Sequence, residues 1–408
     1  MAGPSKAAIM DDIAKTHQVY PDQTAHSLPF SLPLVSVIIV NYNYGRFLKQ
    51  AADSVFEQTY PNIECIIVDN ASSDESADVL RDIQSRYPST KILQRTDNGG
   101  QSLASKEGFE ASSGEYVVFL DADDVLLPVF VETHIFVHLS LRVPVGFTSA
   151  DMLQAVETRF VLGTFYGFSE YVRSGRGKKP GLLRRIDEHA PTVWRLHSPD
   201  ASIEAQIHLV EPGDVTGWYW APTSGNCFRR DALRLFLNNE GLATLRSCTD
   251  SYLLRGVGIM TGSVLIDRPL AVYRLHGTNV FSKQPHLHCM VHYEKDSPTD
   301  NDQLGRKLVI DHLIANAKPF VKKSCSVHHY MNALTALDDA WPPIASRVPG
   351  CPSYLGGKLV SESTTLAREV GLGNFSAWLW QRKVSLQVFL STYLRCRKEK
   401  HHKQLRAE

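Results

Sequence analysis

The residues best suited to chemistry in this 408-residue chain are three carboxylates that follow a short apolar segment. Asp121, Asp123 and Asp124 come directly after the apolar residues 116–120. Carboxylates this close repel one another, and a hard divalent cation such as Mg²⁺ or Mn²⁺ would compensate their charge and bridge to phosphate oxygens. The alternative is a solvated loop in which Asp124 caps the following segment. The position of this DxD motif at the end of a buried strand favours the metal site.

Polar side chains also follow two other apolar segments. Tyr42 and Asn43 come after residues 34–40. Asp69 comes after residues 63–68. A tyrosine ring can stack on a base, and a carboxylate can accept hydrogen bonds from the edge of a base or a sugar. Each residue taken alone is also explained by turn packing or helix capping, so the prediction depends on all three strand ends meeting.

The elements that must position these residues alternate between strand and helix. The β-branched segments at 34–40, 63–68 and 116–120 have the composition of strands buried on both faces, and 91–94 is a further short strand. Helical spacing occurs between them, at 45–58, 73–87 and 100–112. This order predicts βαβ units and a parallel sheet, in which ligands bind at the carboxyl ends of the strands.

Three motifs of other α/β enzymes are missing from the sequence. No GxGxxG follows the first strand, no GxxxxGK[ST] occurs, and there is no GxSxG elbow. A dinucleotide dehydrogenase, a P-loop nucleotidase and a triad hydrolase are therefore disfavoured. A sugar nucleotidyltransferase would need a Gly-rich basic loop after the first strand, and residues 41–46 do not form one.

The composition is that of an ordinary soluble globular protein. Lys+Arg and Asp+Glu number 43 each, so the whole chain offers no net charge to attract nucleic acid. The seven cysteines include no CxxC pair, which argues against a zinc knuckle and a disulfide framework. No signal peptide is evident, and no apolar run reaches the roughly 20 residues of a membrane span. We expect a cytoplasmic protein, or one peripheral on the inner face of the membrane.

Taken in order and spacing, these motifs resemble the family-2 glycosyltransferases. The matching segments are 33–43, 68–74, 98–102, 113–116, 121–124, 224–233 and 273–279. The resemblance implies the GT-A fold, an α/β, Rossmann-like nucleotide-binding domain with a mostly parallel central sheet, here followed by a helical C-terminal extension. It also implies an inverting, metal-dependent hexosyltransferase of polysaccharide biosynthesis. Such an enzyme moves a sugar from a nucleotide sugar, with UDP as the expected nucleotide, to a glycan or lipid-linked glycan.

The resemblance also implies a role for each site residue. Tyr42 stacks on the base, Asp69 hydrogen-bonds it, and Asp121 lies near the ribose and the metal. Asp123 ligates Mn²⁺ or Mg²⁺, and His276 reaches the metal or the diphosphate. The other expected donor-site residues are Asn43, Asn98, Lys106 and Ala122. Contacts to the acceptor or the diphosphate are expected from Gly225, Asn226 and Arg274.

Inversion needs a base that takes the proton of the acceptor hydroxyl. Family members usually place an Asp for this in a Glu-Asp pair at a helix start, and Asp250 matches it, with Thr249 where Glu is common. The alternative is that Asp250 only favours the first helical turn. Lys106 is a second departure, at a position where relatives often have Asn. The two departures leave open a catalytically silent nucleotide-sugar-binding or scaffolding protein of the same fold.

The chain divides into three predicted parts. Residues 1–32 form an N-terminal arm, 33–281 the glycosyltransferase domain and 282–408 the helical extension. Residues 140–220, with a basic patch interrupted by glycines, are predicted as an insertion that contacts the acceptor.

The end of the chain combines large apolar residues with positive charge. Eight cations stand against one acid between residues 381 and 406. One interpretation of 376–406 is a terminal helix that packs its apolar face on the domain. The other is an interfacial helix on an anionic membrane. We favour the first, and a lipid-linked acceptor would favour the second.

Overall fold

The structure, a computed structural model, describes residues 31–190, 193–196, 198–214, 217–279, 299–340 and 342–404. Most of the predicted arm 1–32 therefore lies outside the described residues.

A ten-stranded sheet forms the centre of the fold. Its strands are β1 (Val35–Asn41), β2 (Ile63–Asp69), β3 (Lys91–Gln94), β4 (Tyr116–Asp121), β5 (Val125–Leu126), β6 (Phe147–Val156), β7 (Arg159–Leu162), β8 (Ile207–Val210), β9 (Asn226–Arg229) and β10 (Ser263–Leu275). They follow the order β3-β2-β1-β4-β9-β6-β10-β5, with β7 beside β6 and β8 beside β10. The strands β1, β2, β3, β4, β6 and β10 run in one direction, which confirms the predicted α/β class with a mostly parallel sheet.

Helices cover the sheet and form the C-terminal part. They are α1 (Gly45–Phe56), α2 (Ser76–Arg86), α3 (Gln101–Ala111), α4 (Phe130–Ser140), α5 (Tyr166–Arg173), α6 (Ile186–His189), α7 (Arg230–Leu237), α8 (Thr249–Thr261), α9 (Thr299–Ala315), α10 (Ala317–Lys323), α11 (Val327–Asp339), α12 (Tyr354–Ser361), α13 (Ser363–Val370), α14 (Leu372–Gln381) and α15 (Leu386–Gln404). The described residues from 33 onward form one compact unit, in which α9 packs on α8. Within the described ranges, no helix has both the length and the apolar character needed to cross a membrane.

Local sequence explains how the central strands and their helices pack. The strand β1 is almost fully buried, as its β-branched composition predicts. The buried residues of α1 include Leu48, Ala51 and Val55, whose spacing of three and four aligns them on one helix face. The helix α3 packs on β1 so closely that a Cβ at Gly108 would lie 2.3 Å from Ile38 Cγ2, so this position requires glycine.

The strand register brings the predicted polar residues to one edge of the sheet. Asn41 pairs with Asp69 across β1 and β2, and Val40 pairs with Asp121 across β1 and β4. The three strands therefore end side by side.

The segment predicted as an insertion, 140–220, contributes three strands to the sheet. The strand β6 lies between β9 and β10, well inside the sheet. The last strand, β10, has register shifts between Ile266 and Ala271 and continues to Leu275. This length brings the residues after β10 to the same edge as the ends of β1 and β4.

Candidate functional site

The ends of β1 and β2 are joined by a buried hydrogen-bond network. Asn41 Nδ2 donates to Asp69 Oδ1 (2.7 Å) and to Ser76 Oγ (2.8 Å), and Ser72 Oγ donates to Asp69 Oδ1 (2.6 Å). The Asp69 carboxylate, predicted to bind the base, is therefore also a structural acceptor that orders its own loop.

The residues after Asn41 present a tyrosine ring to solvent. Asn43 has a left-handed backbone (φ 57°), which Asn tolerates better than most residues. Its backbone N–H donates to Ser72 Oγ (2.9 Å) and its Oδ1 accepts from Ser73 N (2.8 Å). The ring of Tyr42, held by these flanking contacts, is 44% exposed and accessible for stacking.

A second group of polar contacts surrounds Asn98. Its Oδ1 accepts from Asn70 Nδ2 (3.0 Å), and Arg246 Nη2 donates to its backbone carbonyl (2.9 Å). Gly100 has φ 85° and a Cβ there would lie 2.7 Å from the Arg246 backbone, so this contact between two loops requires glycine. Lys106, predicted near the diphosphate, lies on α3, 3.9 Å from Glu110.

The carboxylate run after β4 divides into side chains with different surroundings. Asp124 is buried; its Oδ2 accepts from Ser224 Oγ (2.7 Å) and its Oδ1 from Arg274 N (3.2 Å). Burial, with the charges of Asp123 and Asp121, raises its pKa well above the usual value. Asp124 thus ties the end of β4 to the end of β10. The small residue between the acids, Ala122, is fully buried.

Asp121 faces the helix α8. Gln101 Nε2 donates to its Oδ1 (3.0 Å), and Ser224 Oγ accepts from its backbone N–H (3.1 Å). Burial, together with the charges of Asp123 and Asp250, raises its pKa to about 7. Asp121 and Asp250, 129 positions apart, therefore lie close enough for their charges to interact.

Asp123 contacts His276 directly. Its Oδ2 lies 3.0 Å from His276 Nε2, and the other ring nitrogen lies 2.8 Å from Thr278 Oγ1. The imidazole packs against the rings of Tyr44 and Phe47, with centroids 5.3 and 4.7 Å away. These aromatic neighbours fix the ring so that Nε2 faces the carboxylate.

The Asp123–His276 pair fits part of a divalent metal site. Two neighbouring ligands of an octahedral ion with bonds of about 2.1 Å lie about 3 Å apart, and the two side chains have this separation. A carboxylate oxygen and an imidazole nitrogen also suit Mn²⁺. Among the described residues, no group of three or more His, Cys, Asp or Glu side chains could hold a metal. The pair therefore supplies only part of the coordination that such an ion needs.

A buried cation lies behind this pair. The Arg274 guanidinium lies 5.1 Å from the Phe47 ring centroid and is close enough to Asp124 and Asp123 to feel their charges. Burial lowers its pKa, and the two carboxylates act in the opposite direction.

The helix α8 carries the predicted base in its first turn. Cys248, with φ 61°, precedes it, and Asp250 Oδ1 accepts from Ser251 N (2.8 Å). The Thr249 hydroxyl lies 2.7 Å from Ser102 Oγ in a buried contact between α3 and α8. Thr249 thus fills a small polar space between two helices, where a longer carboxylate would need different partners.

Gly225 and Asn226 shape the turn behind the carboxylates. Asn226 is fully buried, and its Nδ2 donates to the carbonyls of Ala221, Pro222 and Thr223 at 2.7–3.2 Å. A Cβ at Gly225 would lie 2.5 Å from Ala221 Cβ. The two predicted contact residues therefore hold the loop that positions Ser224.

Sequence reasoning missed several residues of this site. They are Tyr44, Phe47, Gln101, Ser224 and Thr278. Gln101, Ser224 and Thr278 lie inside the segments that prompted the family resemblance, and this was the available signal.

Comparison with known proteins identifies one family. The family model "Glycosyl transferase family 2" matches residues 36–139, which include β1 to β4 and the carboxylate run. The uncharacterized glycosyltransferase alr2836 of Nostoc sp. is 31% identical over 245 residues, 60% of this chain and 66% of the relative. Glycosyltransferase GlyG of Streptococcus pneumoniae is 27% identical over 34% of this chain and 40% of its own length. The chain thus spans less than two thirds of these curated relatives.

The fold was also compared with solved structures. Residues 1–349 of S. aureus TarS, crystallised in complex with UDP, align with 91% of this chain and 92% of that one, at 13% identity and a TM-score of 0.45.

Proposed function

We propose a reaction for this chain, which belongs to glycosyltransferase family 2. It transfers a sugar from a nucleoside-diphosphate sugar to a hydroxyl of a glycan or lipid-linked glycan, with inversion at the anomeric carbon. One observation carries the proposal: Gln101 bonds both to Asp121, at the end of β4, and to the backbone of Thr249 beside Asp250, and the charge of Asp121 interacts with those of Asp123 and Asp250. Groups suited to a diphosphate and to an acceptor hydroxyl are thereby adjacent.

The donor nucleotide occupies the edge formed by the ends of β1, β2 and β4. Its base stacks on the exposed ring of Tyr42, beside the loops ordered by Asn43, Asp69 and Asn98. We take uridine as the nucleoside, as the family resemblance implies. The diphosphate extends from there towards the Asp123–His276 pair.

Asp123 and His276 are the side chains that hold a divalent cation, Mn²⁺ or Mg²⁺. When bound, this ion offsets the negative charge that develops on the leaving diphosphate. Arg274 adds a fixed positive charge behind the two ligands.

Asp250 is the base in this proposal. The acceptor oxygen forms a bond to the anomeric carbon while the bond from that carbon to the phosphate oxygen breaks. The acceptor proton passes to Asp250, and the nucleoside diphosphate leaves with the bonding electron pair. The acceptor approaches along residues 217–230 and the glycine-rich basic part of 140–220.

The donor assignment is tested by calorimetric titration with UDP, CDP, GDP and ADP, with and without Mn²⁺. We expect UDP to bind, and the binding to require both Mn²⁺ and Asp123. Asp123→Ala should weaken UDP binding by at least tenfold in the presence of Mn²⁺, because it removes a metal ligand. Asp82→Ala, which removes an exposed carboxylate of α2, is the matched control. No binding of any nucleotide would overturn the donor site.

The base assignment is tested with Asp250→Asn. Turnover, measured as UDP release from UDP-sugars with acceptor present, should fall by about 10²–10⁴-fold while UDP affinity stays unchanged. Asp231→Asn removes an acid from the first turn of α7 and controls for an effect on the helix end. Unchanged turnover would remove Asp250 from the base role. Donor binding without turnover in the unmodified protein would instead support a catalytically silent nucleotide-sugar-binding protein.

A further inference from the structure

The last two described helices expose large apolar side chains. Trp380, on α14, is 84% exposed, and Leu386, at the start of α15, is 72% exposed. Leu372, Leu390 and Leu394 are also exposed. These five are among twelve large hydrophobic residues exposed in the described part of the chain, and they fall within 23 positions. Exposed large hydrophobic residues are therefore more concentrated in this segment than elsewhere on the described surface.

The exposed leucines of α15 form a stripe that lies in solvent and not in the packed side of the helix. Leu386, Leu390 and Leu394 are four residues apart and so lie along one side of the helix. A different side faces the protein, because Phe389 contacts Phe375 at 6.5 Å between centroids and Thr392 is buried. The helix is therefore held to the domain while its leucine stripe stays in solvent.

The sequence that follows the stripe is strongly cationic. Between residues 395 and 406 there are six Lys and Arg and one acid, Glu399, in a chain whose total charge is balanced. An apolar stripe, a tryptophan and a block of cations are the features of a helix that lies in the interface of an anionic membrane. Self-association is disfavoured, because pairing two copies along α15 would bring these like charges together.

We propose that α14 and α15 bind the surface of an anionic lipid bilayer. Trp380 and the leucine stripe enter the interfacial region, and the block of cations supplies attraction to the headgroups. This surface is separate from the donor site, so the inference does not depend on the proposed reaction. It would bring the protein to the surface that a lipid-linked acceptor occupies.

The test is co-sedimentation of the full chain with vesicles of phosphatidylcholine alone or mixed with phosphatidylglycerol. We expect binding only to the anionic vesicles, and loss of binding as salt is raised. The double variant Leu390→Asn/Leu394→Asn should weaken binding by about tenfold, since buried apolar area contributes to interfacial affinity. The matched control is Phe160→Asn on β7, which removes a side chain that is 64% exposed elsewhere. Charge reversal at Lys398 and Lys400 should also weaken binding to the anionic vesicles, whereas reversal at Lys178 and Lys179 should not.

Three results would overturn the inference: equal binding to both vesicle types, binding unchanged by the leucine substitutions, or a leucine-dependent dimer that ignores vesicles. Circular dichroism of each variant establishes that it is folded. The assay contains no nucleotide, so its failure is distinguishable from failure of the donor site.

Discussion

A single glutamine joins the two halves of the candidate site. Gln101 donates from Nε2 to Asp121 Oδ1 and accepts at Oε1 from Thr249 N (3.3 Å). An amide serves both contacts because it carries a donor and an acceptor at one end. Glutamate has the same shape but two acceptors, so it can satisfy only the contact to Thr249.

Gln101→Glu should therefore change the pH dependence of turnover and have little effect on the fold. A carboxylate beside Asp121 adds a like charge to a group whose pKa is already raised to about 7. We expect the acidic limb of kcat/KM to move up by about one pH unit, because like charges favour protonation. Gln84→Glu, at a half-buried position on α2, should leave the profile unchanged. If both variants keep the original profile, Gln101 does not act on the carboxylates.

At the scale of elements, local patterns were enough for the first half of the sheet. The strands β1, β2 and β4 were predicted within about one residue, because each is a β-branched run whose burial needs no particular partner. The convergence of Asp69 and Asp121 then follows from parallel register alone. The meeting of these strand ends was predictable because chain direction determines where such strands end.

The strand β6 could not be predicted in the same way. It is buried yet contains several polar residues, whose partners are distant in sequence. Thr148 Oγ1 lies 2.6 Å from His134 Nδ1, and Ser149 Oγ accepts from Ala221 N (3.0 Å). Polar residues interrupt the apolar pattern by which a buried strand is recognised in a sequence. The hydrogen bonds that satisfy them are seen only in the folded structure. The contact of Gln101 with Thr249, 148 positions away, was inaccessible to sequence for the same reason.

For the whole molecule, the candidate site is a source of instability. Asp124 and Asp151 are buried carboxylates, Asp121 is half-buried, and burial is the main cause of the raised pKa values of all three. The histidines His134 and His138 are also buried, and burial lowers their pKa values. The carboxylates and the histidines have opposite effects as pH falls. Protonation of the carboxylates raises the free energy of unfolding, and protonation of the histidines lowers it. A variant is needed to isolate the contribution of the site.

Asp121→Asn isolates it. The folded pKa of Asp121, about 7, exceeds its ordinary value of 3.8, so its contribution to stability is lost as pH rises from about 4 through 7. An uncharged amide avoids this loss, so without ligand the variant should be more stable than the original protein at pH 8, by about 4 kcal/mol. The gain should shrink towards pH 4, and the histidine effects cancel because both proteins share them.

Urea unfolding at pH 8, 6 and 4.5 measures this difference. Asp151→Asn is the informative control, because Asp151 accepts hydrogen bonds from the backbone N–H groups of Met152 and Phe165. Both groups donate to Oδ1, so an amide keeps these bonds through its oxygen, and this variant should also gain stability at pH 8 while leaving UDP binding unchanged. Equal stability of Asp121→Asn and the original protein at pH 8 would mean that the site does not strain the fold. A gain accompanied by loss of UDP binding would instead support a site in which ligand, rather than the fold, compensates the buried charge.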